Sequence, residues 1–193
     1  AILKDGKKIV ASGKAVAGSE ILLSVKSPKL WDTHNPYLYD LEVVLYNNGK
    51  ETDRIKSYAA MRKVSAQRDK DGFMRFQLNN KDIFHFGPLD QGWWPDGLYT
   101  PPSDEAMLYD VQKTKELGFN LIRKHIKVEP ARWYTYCDRM GILVWQDMPS
   151  GDAYPKWEPF VYNGGEEVKR SAESDATYRK EWKEIMAHVM PYP

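Results

Sequence analysis

The sequence predicts a chain in two parts: a β-sandwich-like half of short strands up to about Gln67, and an α/β half from about Asp69 to the end. Three patterns predict it. In the first part, apolar runs of strand length are punctuated by Gly, Pro and Asn, with no helical spacing. In the second, short apolar strands alternate with amphipathic helices, which implies parallel strands joined by crossovers. The strand-to-helix loops are also long and chemically rich, while the helix-to-strand turns are as short as Gly118 or Gly141.

In the first part, strands are expected at Ala1–Leu3, Lys8–Ala11, Glu20–Val25, Tyr37–Tyr46 and Thr52–Ala59. Part of Leu38–Tyr46 alternates and the rest is continuously apolar, as for a strand facing a sandwich core. Asn47-Asn48-Gly49 is a hairpin turn, because Asn and Gly tolerate positive φ at little steric cost. About five strands are too few for an immunoglobulin-like sandwich, which needs roughly seven. A sandwich without its first strands would expose an apolar face and a long unpaired edge. The N-terminus is therefore expected to be a cut boundary, or to lean on a neighbouring chain.

The second part is expected to begin with a hairpin, Phe73–Leu78 and Asp82–Gly87 around Asn79-Asn80-Lys81, leading into a buried strand. Ser103 is placed to cap a helix. Asp104 and Glu105 suit its positive end, Leu108, Val111 and Leu117 fall mostly on one face, and Gly118 can close it in a left-handed conformation. Phe119–Arg123 is the next strand. Pro130 then fits a first helical position, Trp133, Cys137 and Met140 form a stripe, and Gly141 ends the helix. Ile142–Gln146 is a third strand. The loop Met148–Asn163 precedes a last helix in which Tyr178, Trp182, Ile185 and Val189 keep helical spacing. A barrel or a doubly wound sheet fits this alternation. A full barrel takes roughly 250 residues, so the stretch after Gln67 is too short to close one.

Composition narrows the function classes. The 193 residues are 42% hydrophobic and 28% charged with a net charge of +1, as in an ordinary globular protein. Interspersed charges give no general attraction for nucleic acid or an anionic membrane. No apolar run approaches the roughly 20 residues of a membrane span, and Ala1–Val10 lacks the pattern of a signal peptide. The single cysteine, Cys137, excludes an internal disulfide and reads as a packed core residue. Neither a metal motif, a phosphate loop nor a Gly-x-Ser-x-Gly turn is present, and no cofactor is called for. The 7 Trp and 12 Tyr suit either sugar stacking or core filling.

The long loops direct attention to the C-terminal ends of the strands. Arg123 and His125 end the second strand as alternate residues and should project together, either to hold the scaffold or to contact a sugar hydroxyl. Asp147 follows the third strand and can bind hydroxyls, pair with Arg123 or cap a helix. Trp93 and Trp94, in Trp93-Trp94-Pro95-Asp96-Gly97 with Tyr99, either pack under their loop or form a stacking platform. Asp90 lies in the same loop. The adjacent carboxylates Asp104-Glu105 and Glu166-Glu167 read as solvated.

Three stretches together resemble glycoside hydrolase family 2, which includes β-galactosidases, β-glucuronidases and β-mannosidases. Trp31 with Pro36-Tyr-Leu-Tyr-Asp-Leu-Glu-Val43 looks like late strands of the family's immunoglobulin-like domain. Phe76-Gln-Leu-Asn-Asn-Lys-Asp-Ile-Phe-His-Phe-Gly87 looks like the hairpin and first strand of its barrel. The most specific stretch runs from Asp110 to Asp147, where Lys115-Glu-Leu-Gly-Phe-Asn-Leu-Ile-Arg123, Trp133-Tyr-Thr-Tyr-Cys-Asp-Arg-Met-Gly141 and Val144-Trp-Gln-Asp147 keep the family's order and spacing.

The resemblance implies a partial immunoglobulin-like β-sandwich over residues 1–67, followed by the first half of a (β/α)8 TIM barrel over residues 68–193, in an internal piece of a retaining exo-glycosidase. The acid/base Glu would follow an Asn at the end of the fourth barrel strand, and a nucleophilic Glu would end the seventh. Both would lie beyond Pro193, so no catalytic residue falls within the chain and the piece alone is expected to be inactive. His125, Asp147, Trp93, Trp94, Asp90 and Arg123 are the implied substrate-side residues. His125 lies one residue closer to Arg123 than in β-galactosidases, and the loop Pro88–Gly97 departs from the family's Asn/His/acidic pattern. The family's N-terminal jelly roll is not expected within these residues. A glycan is the implied partner, exposed strand edges are expected to self-associate, and the resemblance favours a periplasmic or secreted location. A noncatalytic carbohydrate-binding or adhesion module is the alternative reading.

Overall fold

The computed structural model describes residues 1–151 and 170–193. Most of the expected loop Met148–Asn163, and Glu166-Glu167, lie outside the described residues. The chain forms two compact units, one of residues 1–86, 135–143 and 193, the other of 87–134 and 144–192.

In the first unit, β1 (Ile2–Asp5), β2 (Lys8–Ser12), β3 (Tyr39–Asn47) and β4 (Lys50–Ala59) form an antiparallel sheet in the order β2-β1-β3-β4. The β3–β4 turn is the expected one: Asn47 pairs with Lys50, and Asn48 and Gly49 take φ of 49° and 77°. Two successive positive φ values give a turn whose twist matches that of the flanking strands. The strand expected at Glu20–Val25 does not form. Leu22 is 91% exposed, and Ile21 and Leu23 pack on Gly13, where a Cβ would stand 2.6 Å from Ile21 Cγ2. Ile21 and Leu23 find side-chain contact without a ladder partner.

A second sheet contains β5 (Val64–Arg68), β6 (Met74–Leu78) and β7 (Lys81–Asp82) in that order, with Asn79 and Asn80 at φ 54° and 63° in the last turn. β5 has no counterpart among the expected strands, and the boundary expected at Gln67 falls inside it. The buried strand expected over Asp82–Gly87 is also corrected. Pairing with β6 covers Lys81–Asp82 and the hydrogen bond from Ile83 N to Phe76 O at 2.9 Å, and Phe84 and Phe86 are 81% and 54% exposed.

Trp31 anchors this unit. It is fully buried, its N–H donates to Met61 O at 2.9 Å, and its indole Nε1 donates to Asp138 O at 2.8 Å. Asp138 is buried beside it and accepts a 2.6 Å hydrogen bond from the Tyr58 hydroxyl. Burial pushes its carboxyl up to about 7, against the opposing pull of that hydrogen bond and of the Arg62 charge.

The second unit is built on a three-stranded sheet ordered β10-β9-β8, from β8 (Leu89–Asp90), β9 (Leu121–Lys124) and β10 (Leu143–Gln146). β8 and β9 are parallel, with Leu89 opposite Arg123 and Asp90 opposite Lys124. The first parallel strand thus lies a few residues later than expected. The chain reaches it at Gly87, whose hydrogen occupies the only space available: a Cβ would lie 1.7 Å from Leu121 O.

Between these strands run α1 (Asp104–Glu116) and α2 (Ala131–Met140), and α3 (Ala172–Val189) follows β10. Ser103 caps α1 by accepting from Ala106 N, and Gly118 follows the helix at φ 86°. The buried face of α1 is Met107, Val111 and Thr114 rather than the expected Leu108, Val111 and Leu117, because Leu117 is the C-cap and 71% exposed. α2 begins one residue after Pro130, the expected first position, and ends before Gly141 as expected, with Trp133 and Cys137 buried and Gly141 at φ 70°. α3 is capped by Ser171 and keeps its helical spacing, but none of its residues is buried.

Candidate functional site

The strand ends of the second unit bring charged groups together. Asp90 ends β8, Lys124 ends β9 with His125 next, and Asp147 follows β10. Pairing sets these positions: His125 N donates to Asp90 O at 2.9 Å, and Asp147 N to Lys124 O at 3.0 Å.

Along β9 the side chains alternate, so Arg123 is exposed and Lys124 is buried. Arg123 meets Asp147 as a fork, Nε donating to Oδ1 at 3.0 Å and Nη2 to Oδ2 at 2.9 Å. A bidentate pair fixes both side chains more tightly than a single contact does. The guanidinium holds the Asp147 carboxyl below the usual carboxylate range. Partial burial opposes this, while the His125 charge and the Ile126 N–H reinforce it. Of the roles open to Asp147 in the sequence, the structure displays pairing with Arg123. His125 lies beside the pair, its Nδ1 3.2 Å from Gln91 Nε2.

Beneath this surface runs a charge ladder that the sequence patterns do not single out. Lys124, 1% accessible, places its ammonium 2.5 Å from Asp90 Oδ2, 2.9 Å from Glu129 Oε1 and 4.5 Å from the centre of the Trp133 ring. Lys127 adds a second cation 3.0 Å from the same Glu129 oxygen. The charges alternate Asp90, Lys124, Glu129, Lys127, and such alternation is what makes buried ions tolerable. Asp110 lies close by. Burial, helped by the charge of Asp90 and opposed by that of Lys124, raises its carboxyl above the ordinary range. The one sequence signal for the ladder is the charge spacing in Lys124-His-Ile-Lys127-Val-Glu129, and it is a weak signal because charges near a loop are usually solvated.

The two tryptophans differ in exposure. Trp94 is half-buried and lines a cavity of only about 10 Å³ with Lys124, Glu129 and Trp133. It also exchanges backbone hydrogen bonds with Leu98, at 2.8 and 3.0 Å, closing a tight loop. Trp93 faces outward at 54% exposure, its ring centre 4.2 Å from that of Tyr99, itself 52% exposed. The result is an exposed aromatic pair in the same unit as a fork of charged hydrogen-bonding groups.

Among the described residues, no group of three or more His, Cys, Asp or Glu could hold a metal ion, and no helix is long and apolar enough to cross a membrane.

Residues 2–62 match the family model described as "Glycosyl hydrolases family 2". A β-galactosidase of Bacteroides ovatus is 30% identical over 190 residues, covering 93% of this chain and 20% of that protein. A β-galactosidase of Lactococcus lactis is 30% identical over 132 residues, covering 66% of this chain and 12% of that protein. The chain thus spans about an eighth to a fifth of these curated relatives. Among solved structures, a β-D-glucuronidase of Dictyoglomus thermophilum superposes with a TM-score of 0.78 at 23% identity, covering 100% of this chain and 31% of that one. That likeness is one of fold. On these matches the chain belongs to glycosyl hydrolases family 2.

Proposed function

We propose that this chain is part of a retaining exo-glycosidase that hydrolyses O-glycosidic bonds of glycans by double displacement, and that residues 1–193 alone do not turn over substrate. In this reading the first unit carries part of an immunoglobulin-like sandwich, and the βαβαβ run of the second is the first half of a TIM barrel. Asp90, Trp93, Trp94, Arg123, His125 and Asp147 serve the sugar-binding face. The glycosidase activity of the family relatives supports the reaction class. The observation that carries the residue assignment is the Arg123–Asp147 fork beside His125 at the strand ends, where barrel enzymes place site residues.

The electrostatics support a binding role over an acid/base one. Double displacement needs a carboxylic acid that is protonated at working pH, and a nucleophilic carboxylate about 5 Å from it. Asp147 is pulled the wrong way for an acid by Arg123. Asp90 is committed to Lys124 and to the Gly92 N–H. Both therefore suit hydrogen bonding to hydroxyls or orientation of neighbours, and the two glutamates of the reaction are assigned to other parts of a longer parent.

The test is turnover of p-nitrophenyl β-galactoside, β-glucuronide and β-mannoside by the purified chain. No nitrophenol release above buffer is expected, whereas release well above buffer would overturn the assignment of catalysis to residues outside the chain. The exposed Trp93–Tyr99 pair also suits a noncatalytic carbohydrate-binding module. That reading gains if the full-length parent binds the same glycosides and leaves them intact.

A further inference from the structure

We propose that Lys127 is the positioning residue that sets the Trp93–Tyr99 platform, holding the loop after β8 closed so that the two rings present one face to a sugar. The inference deepens the sugar-binding reading above and rests on it only for the identity of the ligand.

Lys127 stands in the loop after β9, 9% accessible, and uses its ammonium as a three-way staple. It donates to Gly92 O at 2.8 Å and to Tyr99 O at 2.8 Å, and lies 3.0 Å from Glu129 Oε1. A lysine ammonium has three protons, so its donor capacity matches these three acceptors. Gly92 and Tyr99 immediately flank the segment that carries Trp93, Trp94 and Leu98. One side chain thus ties together the two ends of the loop whose flanking rings form the aromatic pair.

Two further observations tie the loop to this staple, and a third shows that the loop is tight. Gly92 takes φ +65°, and a Cβ there would stand 2.5 Å from Glu129 Oε1 and 2.8 Å from Lys127 Nζ. A Cβ at Gly97 would lie 1.9 Å from Thr100 O. The Lys127 ammonium also sits 5.6 Å over the Tyr99 ring, where the ring quadrupole attracts a cation. With every proton used inside the protein, Lys127 has no donor to spare for a ligand and acts through the rings. A sugar would be met by the exposed Trp93 and Tyr99 faces, which suit the apolar face of a pyranose.

The test uses the whole chain. Near-ultraviolet circular dichroism of the native chain minus that of Trp93→Phe isolates the signal of the coupled rings. Lys127→Met, similar in shape and without protons to donate, is expected to lose that signal while keeping the native far-ultraviolet spectrum. Its affinity for p-nitrophenyl β-galactoside, the probe used, should fall about tenfold, as far as in Trp93→Ala, since hydrogen bonds to a charged donor are lost. Lys127→Arg keeps the charge but offers a planar fork, so it should recover stability better than ring signal. It is also the variant to read if Lys127→Met does not fold. A native ring signal in either folded variant would overturn the positioning role. Loss of the signal, in a chain whose native form binds none of the glycosides tested, would leave the positioning role standing and sink the sugar-binding reading instead.

Discussion

The Lys124 charge in the second unit is 1% accessible and balanced by two carboxylates. Lys124→Met leaves Asp90 without its cation and Glu129 with Lys127 alone, so it should destabilise by about 3–5 kcal/mol, read from the urea midpoint. Asp138 gives a pH dependence of opposite sign to that of a paired carboxylate. Its folded value near 7 exceeds its ordinary 3.8, so the folded state holds a proton that the unfolded state has released. Stability should therefore fall as pH rises from about 4 to about 7 and level off beyond, by at most roughly 4 kcal/mol. In Asp138→Asn this slope in melting temperature should vanish; an unchanged slope would place its origin elsewhere. Asp147 runs the other way: its folded value is depressed, so its contribution is present above the ordinary carboxylate range and is lost as pH falls below it. At this scale Arg123, His125 and Asp147 are legible in the sequence, because alternation along a strand and position at its end are visible in one dimension. Lys124 and Glu129 are not, because burial of a charge depends on what the third dimension places opposite it.

Among the elements, those with explicit end signals are the legible ones. Ser103 before α1, Gly118 and Gly141 after helices, and Asn48-Gly49 between strands all do what their chemistry suggests. Ser103→Ala removes the acceptor for Ala106 N and should cost about 1 kcal/mol, measurable by chemical denaturation. Gly87→Ala is a sharper test of the first parallel strand, because its methyl would meet Leu121 O at 1.7 Å. The expected loss is at least about 1–3 kcal/mol. A silent substitution would mean that β8 does not run so close to β9. The illegible elements are those whose apolar content says nothing about pairing. Glu20–Val25 has strand composition but no ladder partner, and Phe84 and Phe86 are apolar yet more than half exposed. In the short β5, hydrophobic alternation is too weak to register, and its hydrogen bonds to β6 define it instead.

Across the whole molecule, the exposed apolar surface is large. Val43 and Ile55, paired across β3 and β4, are 42% and 58% exposed, and Leu45 is 50% exposed. β8 lies at an open end of its sheet order beside a groove lined by Leu89, Leu117 and Ile122. Such surfaces invite association. Sedimentation should show species larger than a monomer increasing with concentration, and Val43→Lys should reduce them; a monomer at all concentrations would count against it. If the strand-end face of the second unit holds a sugar, isothermal titration of the chain with methyl β-D-galactopyranoside and methyl β-D-glucuronide will register it. The expected result is measurable binding of at least one glycoside by the native chain, weakened about tenfold or more in Asp147→Asn, which breaks the fork with Arg123. Binding of equal strength in both proteins, or no heat with either glycoside, would contradict it.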